Sequence, residues 1–488
     1  MTVYDVVLRG GRVIDPESGL DAVRDVAVSG DRVAAVGTSL PPGRQEADVA
    51  GQVVTAGFID LHSHAHDLGS ARLQVTDGVT TALELEAGVT PVAVAYAAVA
   101  ATGRPLNYGF AASWALARMS VLCGVRSDGS VRPLFAGLAD PRWSGAASPA
   151  EIGRVLGMLE ADIADGALGV GVLLGYAPGA APAEYLRVAA LAAAGGAPVF
   201  THARDLVEFT PDGPADGAEE IVRAAGETGA RMHYCHVNST TLRHADRVLE
   251  LVRRAQRVGT RVSTEAYPYG AGMTGIGAAF LAPERLAERG LTPRSIIYAP
   301  TGEEVSSAAR LSQLRDADPG GLAIIRTLDD SDPDDWALLL RYLTFPGSVI
   351  ASDAMPLTWT GITPEPDSWP LPPSAFTHPR TAGTYARSIR TLSRDGGYPL
   401  REILAKCSLH PAVLLQDRVP AMRRKGRITA GSDADIVVFD PKTITDQATY
   451  SHSTRPSTGI RHVLVNGTFV VRDGQLDTSA RPGRPIRA

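Results

Sequence analysis

Between Val53 and Asp353, short β-branched or apolar runs alternate with longer segments rich in Ala, Leu and Arg, and eight such runs can be counted. They end near His64, Glu86, Ala112, Leu174, His202, Val237, Tyr269 and Asp353. Runs of that length read as strands. The segments over Val92–Ala101, Pro149–Ala164, Ala183–Ala194, Ala218–Thr228 and Leu242–Val258 read as helices. Repeated β/α alternation calls for a parallel sheet covered by helices, and eight units make a (β/α)8 TIM-type barrel the expected α/β fold. Such barrels place their chemistry at the C-terminal ends of the strands, so the residues that close each run matter most.

Several of those closing residues are metal-ligand types. The run Gly57–His64 ends in His62 and His64, spaced H-x-H. Side chains at i and i+2 of a strand share a side, so two imidazoles can face one ion. Pro198–His202, Met232–His236 and Ser348–Asp353 add His202, His236 and Asp353 at three further strand exits. Five such residues at strand exits predict a metal site at the mouth of the barrel.

The chain ends differ from the middle. Val6–Asp15, Asp25–Gly37, Asp435–Asp440 and His462–Gly474 alternate like hairpins, the last around the turn signal Asn466-Gly467. Residues 1–56 and 419–488 are therefore expected to meet in one small β-sandwich beside a barrel spanning 57–418. About 60 residues, 283–345, separate the seventh and eighth strands. That is too long for an ordinary loop and is expected to form a lid over the site. Its acidic run, Asp329 to Asp335, reads as a solvated face.

Composition narrows the function. A net charge of −6 with no basic stripe argues against a nucleic-acid partner. No leader-like start and no long uncharged run appear, so a cytoplasmic protein without a membrane span is expected. The three cysteines, Cys123, Cys235 and Cys407, are widely spaced and read as buried thiols of a reducing compartment. Strand alternation predicts that Cys235, next to His236, turns away from the metal. Lysine occurs only at Lys406, Lys425 and Lys442, which excludes a Schiff-base or carboxylated bridging lysine on the central strands.

These residues resemble the amidohydrolase superfamily, and within it the D-aminoacylase (N-acyl-D-amino-acid deacylase) branch. The resemblance rests on Gly57–His64, Gly78-Val79-Thr80-Thr81, Gly166–Gly169 with Tyr176–Gly179, Thr201–Asp205, Ala266–Tyr269, Ser352-Asp353 and His378–Thr384, and on the return from Lys425 to Ile436. It implies that His62, His64 and Asp353 face one metal position, and His202 and His236 a second. Zinc suits such ligands, one or two ions per chain, with another divalent first-row metal as the alternative. Three departures follow. Ala87 stands at or next to the place of the branch's bridging cysteine, and Glu86 is expected to bridge instead; the alternatives are Glu84, or a single metal. Asn238 replaces a typical lysine. Trp114 replaces a usual histidine, either flooring a larger acyl group or simply packing.

The resemblance implies a metal-dependent hydrolase of a non-peptide amide, deacylating an N-acyl-D-amino acid or related acyl-amine with hydroxide from a water acidified by the metal to a pKa of about 7. Asp353 is expected to take the proton and return it to the departing amine. Arg380 would clamp a substrate carboxylate, helped by Tyr176, Tyr269 or, less directly, Tyr267, while Arg204 would hold the loop after His202. Two other readings stand: opening of a cyclic amide or imide, as in hydantoinase-like relatives, and a non-catalytic interaction protein on the same scaffold. The expected partner is a small molecule bearing a carboxylate, with an oligomer of the chain left open.

Overall fold

In the computed structural model, which describes residues 4–359, 361, 364–365 and 367–488, eight parallel strands form the central sheet. In chain order they are Phe58–Asp60, Val79–Val89, Asn107–Ser113, Val170–Leu173, Val199–His202, Met232–Tyr234, Val262–Ala266 and Val349–Ile350. Each pairs parallel with its chain neighbour. Closure falls just beyond the first and eighth strands, where Ser63 bridges Ala354 and the His64 N–H donates to Ala354 O at 2.8 Å. The result is a nearly closed (β/α)8 barrel.

The helices form for reasons visible in their sequences. Ser148 and Glu151 make a reciprocal capping box that starts Pro149–Ala164, with Pro149 in the first turn where its missing N–H costs nothing. In Gly217–Thr228 the buried side chains include Ala218, Ile221, Ala224 and Ala225, the i, i+3, i+4 spacing of a single apolar stripe against the barrel. Ala245–Arg257 buries Val248, Leu249, Val252 and Ala255 in the same way.

Inside the barrel, Ile59, Leu61, Leu83, Leu85, Ala111, Phe200, Cys235, Val349 and Ala351 pack into one apolar plug. Alternation thus sends Cys235 inward, correcting the sequence expectation, because the sixth strand ends at Tyr234 and His236 leaves it at φ 27°. Cys235 and Cys407 are buried and Cys123 is half-buried; all three are free thiols.

The two chain ends meet in a mixed nine-stranded sheet with its own core, including Val6, Leu8, Val26, Val54, Ile436 and Val438. Val53–Ala56 is its hinge to the barrel, pairing antiparallel with Ile436–Phe439. The insertion after the seventh strand starts earlier than the sequence suggests. Ala271–Gly275, Ile296–Tyr298, Glu303–Glu304 and Leu322–Arg326 form a separate four-stranded sheet. Helix Pro333–Leu343 then packs back on the barrel helix Ala245–Arg257. The acidic run is not simply a solvated face. Asp332 caps that helix through the N–H groups of Asp334 and Asp335, and Asp330 pairs with Arg387 at 2.9 Å. No helix among the described residues is long and apolar enough to cross a membrane.

Candidate metal centre

The strand exits bring all six sequence-predicted ligands together. His62 and His64 Nε2 lie 3.1 Å apart. Glu86 sits between two histidine pairs: Oε2 lies 3.2 Å from His62 Nε2 and 3.5 Å from His64 Nε2, while Oε1 lies 3.0 Å from His202 Nδ1 and 2.7 Å from His236 Nε2. Asp353 Oδ1 lies 3.5 Å from both His62 and His64 Nε2. All six side chains are buried.

Backbone detail makes this convergence possible. The ladder between the second and third strands shifts register between Glu84 and Val89, which frees Glu86 to reach the centre. Gly171 lets that strand approach, since a Cβ there would lie 2.2 Å from Glu86 O. Gly175 does the same for His202, whose Cδ2 would be 2.6 Å from an added Cβ.

A second set of carboxylates holds the histidines from behind. Glu84 Oε2 meets His64 Nδ1 at 2.7 Å and His66 Nε2 at 3.2 Å. Glu265 Oε1 bonds His62 Nδ1, and its Oε2 meets His233 Nε2 at 3.0 Å. Sequence reasoning missed Glu265, His233 and His66. The available signal was a charged residue inside a buried strand, Ser263-Thr264-Glu265-Ala266.

The electrostatics favour positive charge. Burial would drive His62 toward neutrality, yet Glu86, Asp353 and Glu265 outweigh it and hold the imidazole well above its ordinary value. For His64 burial is likewise overcome, chiefly by Glu84, and its pKa is pushed up to about 10. Burial would raise Glu84, but His64 and His66 bring it down to about 2. Burial likewise opposes ionisation of Glu86, and His62 and His236 nevertheless hold it well below the carboxylate range.

This donor set fits a divalent cation. Ligand atoms of His62, His64 and Glu86 lie within 4.8 Å of one another, as do those of Glu86, His202 and His236, and those of His62, His236 and Asp353. Clustered imidazoles with carboxylates are the borderline donors that zinc and its first-row neighbours take. His202 also keeps a buried Nε2 with no hydrogen-bond partner.

The centre opens into a cavity whose lining includes His64, Glu86, His202, His236 and Asp353. Much of the wall is apolar: Leu134, Phe135 and Leu138 from a short helical segment, and Met273, Phe280 and Ile325 from the insertion. Tyr176 and Tyr267 also line it, Tyr176 bonding Thr274 Oγ1 at 2.7 Å with its ring 4.7 Å from that of His202. Arg289, which the sequence did not single out, completes the wall and pairs with Asp205.

Other expected residues stand elsewhere. Arg380 lies behind Tyr267, 4.7 Å from its ring, and pairs with Asp353 Oδ2 at 2.9 Å; its Nε and Nη1 are buried without partners. Tyr269 is not on the cavity wall. It packs edge-on to His378, beneath Arg387, and its hydroxyl has no partner. Trp114 is fully buried, donating to Glu184 at 3.0 Å, so it packs rather than floors the cavity. Asn238 is buried behind Tyr267, bonding its carbonyl at 3.4 Å. Arg204 is structural, bound to Glu220 and to the carbonyls of Pro178 and Ala180.

Residues 45–471 match the model of the amidohydrolase family. An N-acyl-D-glutamate deacylase from Alcaligenes xylosoxydans xylosoxydans is 30% identical over 530 residues, covering 99% of this chain and 96% of that protein. The crystal structure of a D-aminoacylase, which defines a subset of amidohydrolases, superposes with a TM-score of 0.78 at 25% identity, covering 99% of this chain and all (100%) of that one. The N-acyl-D-glutamate deacylase of Bordetella bronchiseptica, complexed with zinc and a phosphonate mimic of the tetrahedral intermediate, gives 0.77 at 25% identity with both chains fully (100%) covered. With the match running from the first sheet through the barrel into the returning strands, this chain belongs to the amidohydrolase family.

Proposed function

We propose that the protein is a zinc-dependent deacylase of N-acyl-D-amino acids or closely related acyl-amines. The observation that carries this reading is Glu86, with one oxygen toward His62 and His64 and the other toward His202 and His236, at the base of a largely apolar cavity. Glu86 would hold a cation together with His62 and His64, with His202 and His236, or with both pairs, and the likeness to deacylases over the full chain supports the amide as the bond attacked. A bound divalent cation supplies polarisation of the acyl carbonyl and a water acidic enough to attack at neutral pH.

The remaining steps belong to side chains. Arg380 fixes Asp353 Oδ2, which leaves Oδ1 facing the histidines. Oδ1 takes the proton of the attacking water and delivers it to the departing amine nitrogen. Arg380, buried behind Tyr267 with Nε and Nη1 unpartnered, acts through Asp353 rather than by touching the substrate from the cavity wall. Tyr267 stacks beneath that guanidinium, and Tyr176 orients the acyl group from the opposite wall beside His202. Tyr269 supports His378 at the back of this arrangement rather than touching substrate. The apolar wall receives the acyl chain or the amino-acid side chain.

The test is primary-amine release from matched N-acetyl-D-, N-acetyl-L- and cyclic amide substrates, with zinc-reconstituted protein and a chelated control. Zinc-dependent turnover confined to the N-acetyl-D series is the expected result. Turnover of the cyclic amides alone would overturn the deacylase reading in favour of ring opening, and equal rates in the presence of chelator would overturn the metal.

A further inference from the structure

The interior of a (β/α)8 barrel is normally a stack of apolar layers. Here a polar file crosses it. Ser263 Oγ meets His233 Nδ1 at 2.8 Å, His233 Nε2 meets Glu265 Oε2 at 3.0 Å, and Glu265 Oε1 bonds His62 Nδ1. His62, His233 and Glu265 are each 1% exposed. Burying a carboxylate and two imidazoles in a hydrophobic plug is costly unless every polar atom is engaged, and in this file they are. The His233 ring packs against Phe200 of the plug at 5.4 Å between centroids. The file starts at the N-terminal face, where His233 and Ser263 line a cleft together with Arg231, Arg261 and His410, and ends at the metal-facing histidine.

We infer that Glu265 and His233 are positioning residues for the metal centre: Glu265 accepts the Nδ1 hydrogen of His62 and so aims its Nε2 at the cation, and His233 holds Glu265 in place through the second carboxylate oxygen. This rests on the reading of His62 as a ligand. Two geometric facts carry it beyond an ordinary buried pair. Glu265 uses both oxygens in opposite directions along the barrel axis, one to each imidazole, and Oε1 also receives the backbone N–H of His236, a second candidate ligand, at 3.2 Å. One carboxylate therefore sets the orientation of His62 and of the chain segment that delivers His236. His233 touches neither cavity nor candidate ligand, so its influence passes through Glu265.

The test is cobalt affinity and the visible spectrum of the cobalt-loaded protein, compared across the parent, Glu265→Gln, His233→Asn, the double variant and His62→Ala. Loss of such outer support lowers metal affinity about 10- to 100-fold, and that is the expected result for Glu265→Gln, with a shifted cobalt spectrum. His233→Asn is expected to weaken binding in the same direction, and the double variant to be no weaker than Glu265→Gln alone, because both act through one carboxylate. A merely structural role would lower thermal stability while leaving affinity and spectrum at parental values, and that outcome would overturn the proposal. Fully additive losses in the double variant would overturn the claim that His233 acts through Glu265. If His62→Ala bound cobalt like the parent, the ligand reading would fall and the proposal with it. If Glu265→Gln does not fold, His233→Asn carries the test by the same two readouts.

Discussion

His236 and Asp353 occupy left-handed backbone angles, φ 27° and 51°, which non-glycine residues rarely adopt. Such conformations cost about 1–3 kcal/mol each and persist where surrounding structure enforces them, commonly at functional sites. Here they turn two strand-end side chains onto Glu86 and the H-x-H pair. If Asp353 carries the proton, Asp353→Asn should lower kcat by about 10²- to 10⁴-fold while metal content stays at the parental level; an active, fully loaded variant would remove Asp353 from that role. Glu86 makes a different demand. Glu86→Ala should lose one of two bound metals, or most metal if only one binds, by elemental analysis, and unchanged stoichiometry would take Glu86 out of the site. The second carboxylate layer gives a pH signature in the metal-free protein. His64 is raised from 6.5 to about 10, burial being outweighed by Glu84. A group raised on folding stabilises fully below its unfolded pKa and loses that contribution as pH climbs through the folded one. The Tm of chelated protein should therefore fall between pH 6.5 and about 10, and zinc, which takes neutral imidazole, should suppress that slope. Equal slopes with and without zinc would show that His64 is not a ligand.

The insertion after the seventh strand supplies one wall of the cavity, where the proposed substrate would meet it. It contributes Met273, Phe280, Ile325 and Arg289 to the wall, opposite Leu134, Phe135 and Leu138. Burial of a methylene is worth about 0.8 kcal/mol, so kcat/KM should rise about four-fold per added CH₂ in a homologous series lengthened at the acyl group or at the side chain. The series that rises identifies which substituent meets the wall, and a flat response in both would mean that neither does. At this scale the helices were legible in the sequence, because Gly217–Thr228 or Pro149–Ala164 carries its own stripe and cap. The strand exits were legible too, since a histidine or aspartate closing an apolar run is a local pattern. The start of the insertion was not. Ala271–Gly275 pairs with Leu322–Arg326, about 50 residues later, and only that long-range register makes it a strand. Asp332-Pro333 carried a helix-start signal that the surrounding acidic residues masked. Cys235 was misplaced because the sixth strand is three residues long, so the inward face had to be known before alternation could be applied.

At the level of the whole molecule, the end of the barrel remote from the metal centre is covered in part by Pro485 and Ile486, beside Ala412, Leu415, Val419 and Met422. Residues counted with the β-sandwich by sequence instead run along the third strand. Pro485 bridges Tyr108, the Ile486 N–H donates to Tyr108 O at 2.7 Å, and the Tyr96 hydroxyl donates to Ile486 O at 2.5 Å. Gly109 makes room for this segment, because a Cβ there would lie 2.8 Å from Ile486 O. The Ile486 side chain, 4% exposed, joins Leu83, Ala111, Phe200 and Cys235 in the plug. The segment thus covers part of the end of the barrel remote from the metal centre and contributes apolar surface that the short strands lack. Ile486→Ala should cost about 2–5 kcal/mol, as truncation of a buried isoleucine does, and lower the urea midpoint of the chelated protein. Because the plug separates Ile486 from the cavity, kcat/KM of the zinc-loaded variant should stay within about two-fold of the parent, remote truncations seldom coupling to a separate site. An unchanged midpoint would show that the tail merely lies on the barrel. A lower midpoint with a large loss of kcat/KM would mean instead that the plug transmits its packing to His233 and Glu265, and through them to the ligands.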